Sequence, residues 1–194
     1  EAWFAHTPGL KVVIPATPRD AKGLLRTALA DPNPVLFFEH KKLYRSVRGE
    51  VPTEEYTLPF GEARVVREGT DATIVTYGVG VHWALEEAEH QAEANGAELE
   101  VVDLRTLVPW DRETVRQSLD KTNRLLVLHE ATRTAGFGAE VAAELGEIGF
   151  ELLDAPIRRV AAEDLPVPNA KPLEDEIFSA EARLRPTVEE LLEF

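Results

Sequence analysis

Behind a Thr7-Pro8-Gly9 turn lies a short β-branched apolar run, Leu10-Lys11-Val12-Val13-Ile14-Pro15, which predicts a strand. The period then changes. Leu24, Leu25, Ala28 and Leu29 recur at helical spacing and predict the apolar face of a helix. Thr17 is placed to cap that helix, Pro18 to open it and Asp20 to meet its positive end. Asp31-Pro32-Asn33-Pro34 stops it, because proline cannot continue a helix. Val35 to Glu39 reads as a second strand, apolar on both faces and therefore expected to be buried. A strand–helix–strand unit of this kind forms a parallel crossover.

Residues 45–61 carry no clear period. Gly49, Pro52, Pro59 and Gly61 mark them as a linker. The unit before the linker is too small to bury a core alone. It either joins a later sheet or is the tail of a domain that begins further upstream. From Ala63 a regular alternation sets in. Strands are expected at 72–77, 99–104, 124–130 and 156–160. Helices are expected from Val81 to a stop at Asn95-Gly96, after a cap at Asp111, and over 139–147. A proline-rich stretch, 166–172, belongs on the surface, and Thr187-Val188-Glu189-Glu190 has the form of a capping box before Leu191-Leu192. Such alternation predicts an α/β fold with a mostly parallel sheet.

At 194 residues and 44% hydrophobic, the chain can bury a sizeable core. No apolar run approaches the roughly 20 residues that span a membrane, and the first residues have no signal-peptide pattern. Cysteine is absent, which removes disulfides, thiol catalysis and cysteine-ligated metals and fits a cytoplasmic protein. With 35 acidic and 21 basic residues the net charge is −14. Such a surface repels phosphate backbones, so nucleic acid is not an expected partner; it suits a basic protein partner or serves plain solubility, and the two readings stand level.

Several patterns could carry chemistry. Gly78-x-Gly80 follows a strand, precedes a helix and has Asp103 at the end of the next strand, in imitation of a dinucleotide fingerprint. Trp83 stands where the third glycine is needed, and Val141 does the same for Gly136-x-Gly138. Glycines that let a helix turn back tightly onto a sheet are the better reading of both. The five histidines show no zinc spacing, and no G-x-S-x-G elbow exists. His129-Glu130 sits at a strand end, where α/β proteins build sites, and its functional and structural readings stand level. Lys41, Lys42 and Arg45 around Tyr44 read as solvated charge. His6, before the first strand, is by itself an ordinary loop histidine.

Four stretches change its standing. FAHTPGLKVVIPATPRDAKGLL, DPNPVLFFEHKKLYR, VVDLRTLVPWD and HEATRTAGFGAEVAAEL resemble, in order, the beta subunit of thiamine-diphosphate-dependent 2-oxo acid dehydrogenases. The resemblance implies the C-terminal part of a pyrimidine-binding domain over 1–45, a linker over 46–62 and a transketolase-type C-terminal domain over 63–194. It implies oxidative decarboxylation of a 2-oxo acid and reductive acylation of lipoamide, with a branched-chain acid favoured over pyruvate. His6 matches the histidine of the family's H-x-P-G-L-K-V-V stretch, whose implied role is to position, or exchange protons with, the intermediate or the lipoyl group. Thiamine diphosphate and Mg2+ would be held by the alpha subunit and by residues upstream of Glu1, so no residue here is expected to bind them. Ala28, through its carbonyl, Asp31 and Asn33 match a potassium site. The implied partners are the alpha subunit, a second beta subunit, the subunit-binding domain of the acyltransferase core and the lipoyl domain. A non-catalytic dimerisation and acyltransferase-docking module is the alternative of another class.

Overall fold

A computed structural model describes residues 1–177 and 180–194. A short helix, α1 (Ala2–Ala5), leads into β1 (Lys11–Val13), α2 (Pro18–Ala30), β2 (Val35–Phe37) and α3 (Leu43–Ser46). After the linker come β3 (Arg64–Arg67), β4 (Ala72–Thr76), α4 (Gly80–Asn95), β5 (Leu99–Asp103), β6 (Thr106–Val108) and α5 (Arg112–Thr122). The chain continues through β7 (Leu125–Thr132), α6 (Phe137–Ile148), β8 (Arg158–Ala162), α7 (Lys171–Ile177) and α8 (Ala180–Leu192).

Two sheets organise these elements. The larger has the order β3-β5-β4-β7-β8; all its pairs are parallel except the antiparallel edge strand β3. Alternate residues along its strands face two cores. Ile74, Val101 and Leu128 pack with Ala84 of α4 and Leu184 and Leu191 of α8. Val75, Val102 and Val127 pack with Leu119 of α5 and Leu145 of α6 on the opposite face. The smaller sheet has the order β2-β1-β6. Its β1 and β2 are parallel, as the crossover requires, and β6 joins β1 antiparallel from the later part of the chain. Val12, Ile14 and Leu107 enter the second core. The small N-terminal unit is thus stabilised by a strand and a core that the C-terminal domain supplies.

Several caps form as their sequences predict. Thr17 Oγ1 accepts the Asp20 N–H at 3.1 Å, Asp111 Oδ1 accepts that of Thr114 at 3.0 Å, and Gly96 ends α4 at φ 71°. Three expectations are corrected. On α2 only Leu24 of the expected face is buried, while Leu25 is 41% and Leu29 80% exposed, because no described element lies over that side. β2 is half-buried because it is an edge strand. The box at Thr187 lies inside α8: its hydroxyl donates to the Arg183 carbonyl at 2.8 Å, the local bond a mid-helix threonine makes. The linker is strapped along α2, with Thr27 Oγ1 donating to the Leu58 carbonyl at 2.6 Å and Tyr56 Oη to that of Arg19 at 2.7 Å.

Candidate functional site

His6 caps the C-terminal end of α1, five residues before β1 begins. Its side chain is exposed and lines a cleft of about 430 Å³. One wall is α1 with His6. The floor is Leu107 and Val108 of β6, and the far wall is Trp110, Arg112 and Phe137. Residues 106–108 are too short a run to announce β6 on their own, and its pairing with β1 is antiparallel and remote along the chain. Sequence reading therefore missed the cleft. The signal available was VVDLRTLVPWD, in which a β-branched and apolar triplet separates an arginine from the helix cap.

The far wall is held by a run of ring contacts. The Arg112 guanidinium lies 5.1 Å from the Trp110 ring centre and pairs with Glu144. Trp110 meets Phe137 edge-on at 6.5 Å, Phe137 meets Tyr77 at 6.4 Å, and Tyr77 stacks on His129 at 6.2 Å. The Tyr77 hydroxyl donates to Glu1 Oε1 at 2.9 Å; burial, with the Glu1 charge adding, holds its pKa well above the ordinary phenol value. Trp110 is buried at 5% exposure, and its indole N–H has no partner among the described residues.

His129 is fully buried, and that burial pushes its pKa down to about 4, so the ring is neutral. Nδ1 lies 3.1 Å from the Ala131 carbonyl, which can only accept; the proton is therefore on Nδ1 and Nε2 is bare. The ring fills the space that Gly136 and Gly138 leave. A Cβ on Gly138 would stand 2.6 Å from Nε2, and one on Gly136 2.6 Å from Cε1. This half-motif makes room for an imidazole. Gly80 likewise makes room for Thr76 Oγ1, which a Cβ would approach to 2.2 Å. Asp103 is fully buried, with Oδ1 accepting the Arg105 N–H at 2.9 Å, so it presents nothing to a ribose. Of the His129-Glu130 pair, the histidine is a packed core residue. Glu130 accepts from His40 Nε2 at 2.8 Å across the junction of the two sheets.

Ala28, Asp31 and Asn33 come together at the end of α2. Asp31 Oδ1 accepts from the Asn33 backbone and side-chain amides at 2.9 and 3.0 Å, and Oδ2 pairs with the Lys11 ammonium. The Lys11 hydrogen bond, with those of Asn33, holds the Asp31 carboxyl down at about 2. Lys11 supplies the positive charge here and Asn33 turns donors, not its oxygen, toward Asp31. This arrangement does not fit a potassium ion. Among the described residues, no three His, Cys, Asp or Glu side chains gather as a metal-holding group. Exchanging potassium for sodium at equal ionic strength is expected to leave the thermal midpoint of this chain unchanged. A rise specific to potassium would show that an ion displaces Lys11.

Comparison with known proteins fixes the family. The transketolase C-terminal domain model matches residues 61–184, and the transketolase pyrimidine-binding domain model matches residues 1–47. The chain belongs to the transketolase C-terminal domain family. Within it, the chain is similar to the 2-oxoisovalerate dehydrogenase subunit beta of Bacillus subtilis (strain 168), at 47% identity over 195 residues. It is also similar to the pyruvate dehydrogenase E1 component subunit beta of that organism, at 52% over 168 residues. The two alignments cover 100% and 87% of this chain but 59% and 51% of those proteins. Among solved structures, a split-gene transketolase in an inactive beta4 tetramer superposes with a TM-score of 0.82 at 26% identity, over 99% of this chain and 61% of its own. The mostly parallel sheet with flanking helices is the transketolase C-terminal fold, and β1 and β2 lie within the pyrimidine-binding match. No described helix is long and apolar enough to cross a membrane.

Proposed function

We propose that the chain is the C-terminal part of a beta subunit of a 2-oxo acid dehydrogenase, acting in thiamine-dependent oxidative decarboxylation and transfer of the acyl group to lipoamide. The observation that carries this is its 47% and 52% identity to beta subunits of that class, spread over nearly the whole chain. The order of identity does not separate a branched-chain acid from pyruvate; the branched-chain reading is kept first and pyruvate as its alternative. Comparing turnover of 2-oxoisovalerate and pyruvate by the complete enzyme decides between them. Thiamine diphosphate, when bound in the complete protein, supplies the carbanion and the electron sink for decarboxylation. The proposed partners are an alpha subunit, a second beta copy, the acyltransferase's subunit-binding domain and the lipoyl domain.

This chain's own contribution is one wall of the reaction space. His6 stands on the α1 wall of the cleft, where its imidazole can accept or donate a proton during acyl transfer. Leu107, Val108 and Trp110 form an apolar surface from which water is displaced when a partner closes over it. In the complete assembly, His6→Ala is expected to slow acyl transfer to lipoyl domain by about 100-fold or more, the usual contribution of a placed general acid–base. Transfer within a few-fold of the parent enzyme would remove His6 from the mechanism.

A further inference from the structure

We propose that Arg105 is a positioning residue: it latches the β2-β1-β6 sheet to the larger sheet and thereby fixes the cleft between His6 and Trp110. The importance of that cleft to catalysis rests on the proposed function; the latch itself does not. Arg105 occupies the two-residue turn between β5 and β6, is 6% exposed and has φ 56°. A non-glycine residue stays in that left-handed region only where its surroundings hold it. Here they hold it from four sides. Its N–H donates to Asp103 Oδ1 at the end of β5 at 2.9 Å, and its carbonyl accepts from Ile14, just past β1, at 2.9 Å. Nε and Nη2 donate to the Glu62 carbonyl at 3.0 and 2.7 Å, and Nη2 to that of Ala63 at 3.3 Å, which fixes the end of the linker. Nη1 lies 3.6 Å from Asp20 Oδ1 in the first turn of α2. Arg64 approaches the other oxygen of Asp20 at 3.8 Å.

The path to the cleft is short. β6 begins at the next residue and pairs with β1 through Val12 with Val108 and Val13 with Thr106, with a register irregularity between them. Leu107 and Val108 are the cleft floor, while His6 precedes β1 on the opposing wall. The pairing has only two registered pairs, and the irregularity between them leaves it little to hold its alignment by itself. A buried guanidinium with a rigid fork of donors does so from outside, and a lysine ammonium cannot span the same acceptors.

The test needs no turnover. The full chain is labelled with 5-fluorotryptophan, which reports Trp3, Trp83 and Trp110 separately by fluorine NMR, and hydrogen exchange is followed in parallel. In Arg105→Gln and Arg105→Lys the Trp110 resonance is expected to shift, and the amides of Ile14 and Val108 to exchange at least ten-fold faster. Trp83, in the other core, and the Ile74 and Val127 amides should stay as they were. Asp20→Asn, which keeps Arg105, should give a smaller change of the same pattern and serves if the arginine variants do not fold. Equal movement of Trp83 and Trp110, or uniform acceleration of both sheets, would reduce Arg105 to a general stabiliser; no change at all would remove the latch. A catalytically silent His6→Ala would overturn the role of His6 and leave this result standing.

Discussion

Asp103→Asn is expected to make the stability of the chain climb more steeply with pH between about 4 and 6.5 than that of the parent protein does. Two buried groups oppose each other in that window. Burial, with the charge of Asp20 adding, raises the Asp103 carboxyl to about 7 from its ordinary 3.8, against the pull of the Arg105 N–H and guanidinium. Between those values the folded protein holds a proton there that the unfolded chain has released. Stability therefore falls as pH rises through the window, by on the order of 4 kcal/mol for about three pH units. His129 does the reverse. Its pKa is lowered to about 4 from 6.5, so the unfolded chain holds the extra proton and stability rises with pH, by on the order of 3 kcal/mol. Each slope is one proton, with opposite sign. Asparagine can still accept the Arg105 N–H through its oxygen, so the variant removes the titration and keeps the turn. Urea unfolding at a series of pH values reads the result. The advantage of the variant over the parent should grow from pH 4 to pH 7 and then level off; parallel curves would show that Asp103 is ionised throughout.

Asp103 also shows what the sequence could not say. As a residue at a strand end, behind a glycine pair, it has the position of a ribose-binding acid. Only the meeting of β5, α2 and the linker turns it inward beside Arg105. The features that were legible are local. Thr17, Asp111 and Gly96 act within one turn of their own helices, and the alternation of strands with helices after Ala63 is set by spacing along the chain. The missing features all need a distant segment. β6 becomes a strand because β1 lies beside it, and Trp110 and Phe137 become a wall because α5 and α6 pack on one face of the sheet. Leu25 and Leu29 keep a helical period that no described element covers. His6 and Trp110 meet across the cleft although about a hundred positions separate them in sequence.

Gly138→Ala is expected to destabilise the protein by several kcal/mol, although alanine is the better helix former. The added methyl would lie 2.4 Å from Cδ2 and 2.6 Å from Nε2 of His129, and 3.1 Å from Val127 Cγ1. The imidazole has nowhere to go. It is fully buried, held at Nδ1 by the Ala131 carbonyl and stacked on Tyr77. Overpacking a rigid core commonly costs about 1–3 kcal/mol, and a contact this short at a side chain this confined belongs at or above the upper end. Gly146→Ala in the same helix is the control. Nothing lies within 4 Å of its Cβ, so the variant should gain about 0.5–1 kcal/mol from helix propensity alone. The cause is isolated by a double-mutant cycle. With His129→Ala the new methyl enters the space the ring leaves, so the double variant should be less destabilised than the sum of the single ones by about 1–3 kcal/mol. Additive losses would mean that Gly138 is needed for its backbone and not for the ring. The first turn of α6 also lines the cleft, through Gly136 and Phe137. A displaced α6 would therefore loosen Phe137 from Trp110, so the 5-fluorotryptophan signal of Trp110 should move in Gly138→Ala and stay in Gly146→Ala. That ties the second glycine pair to the cleft through packing.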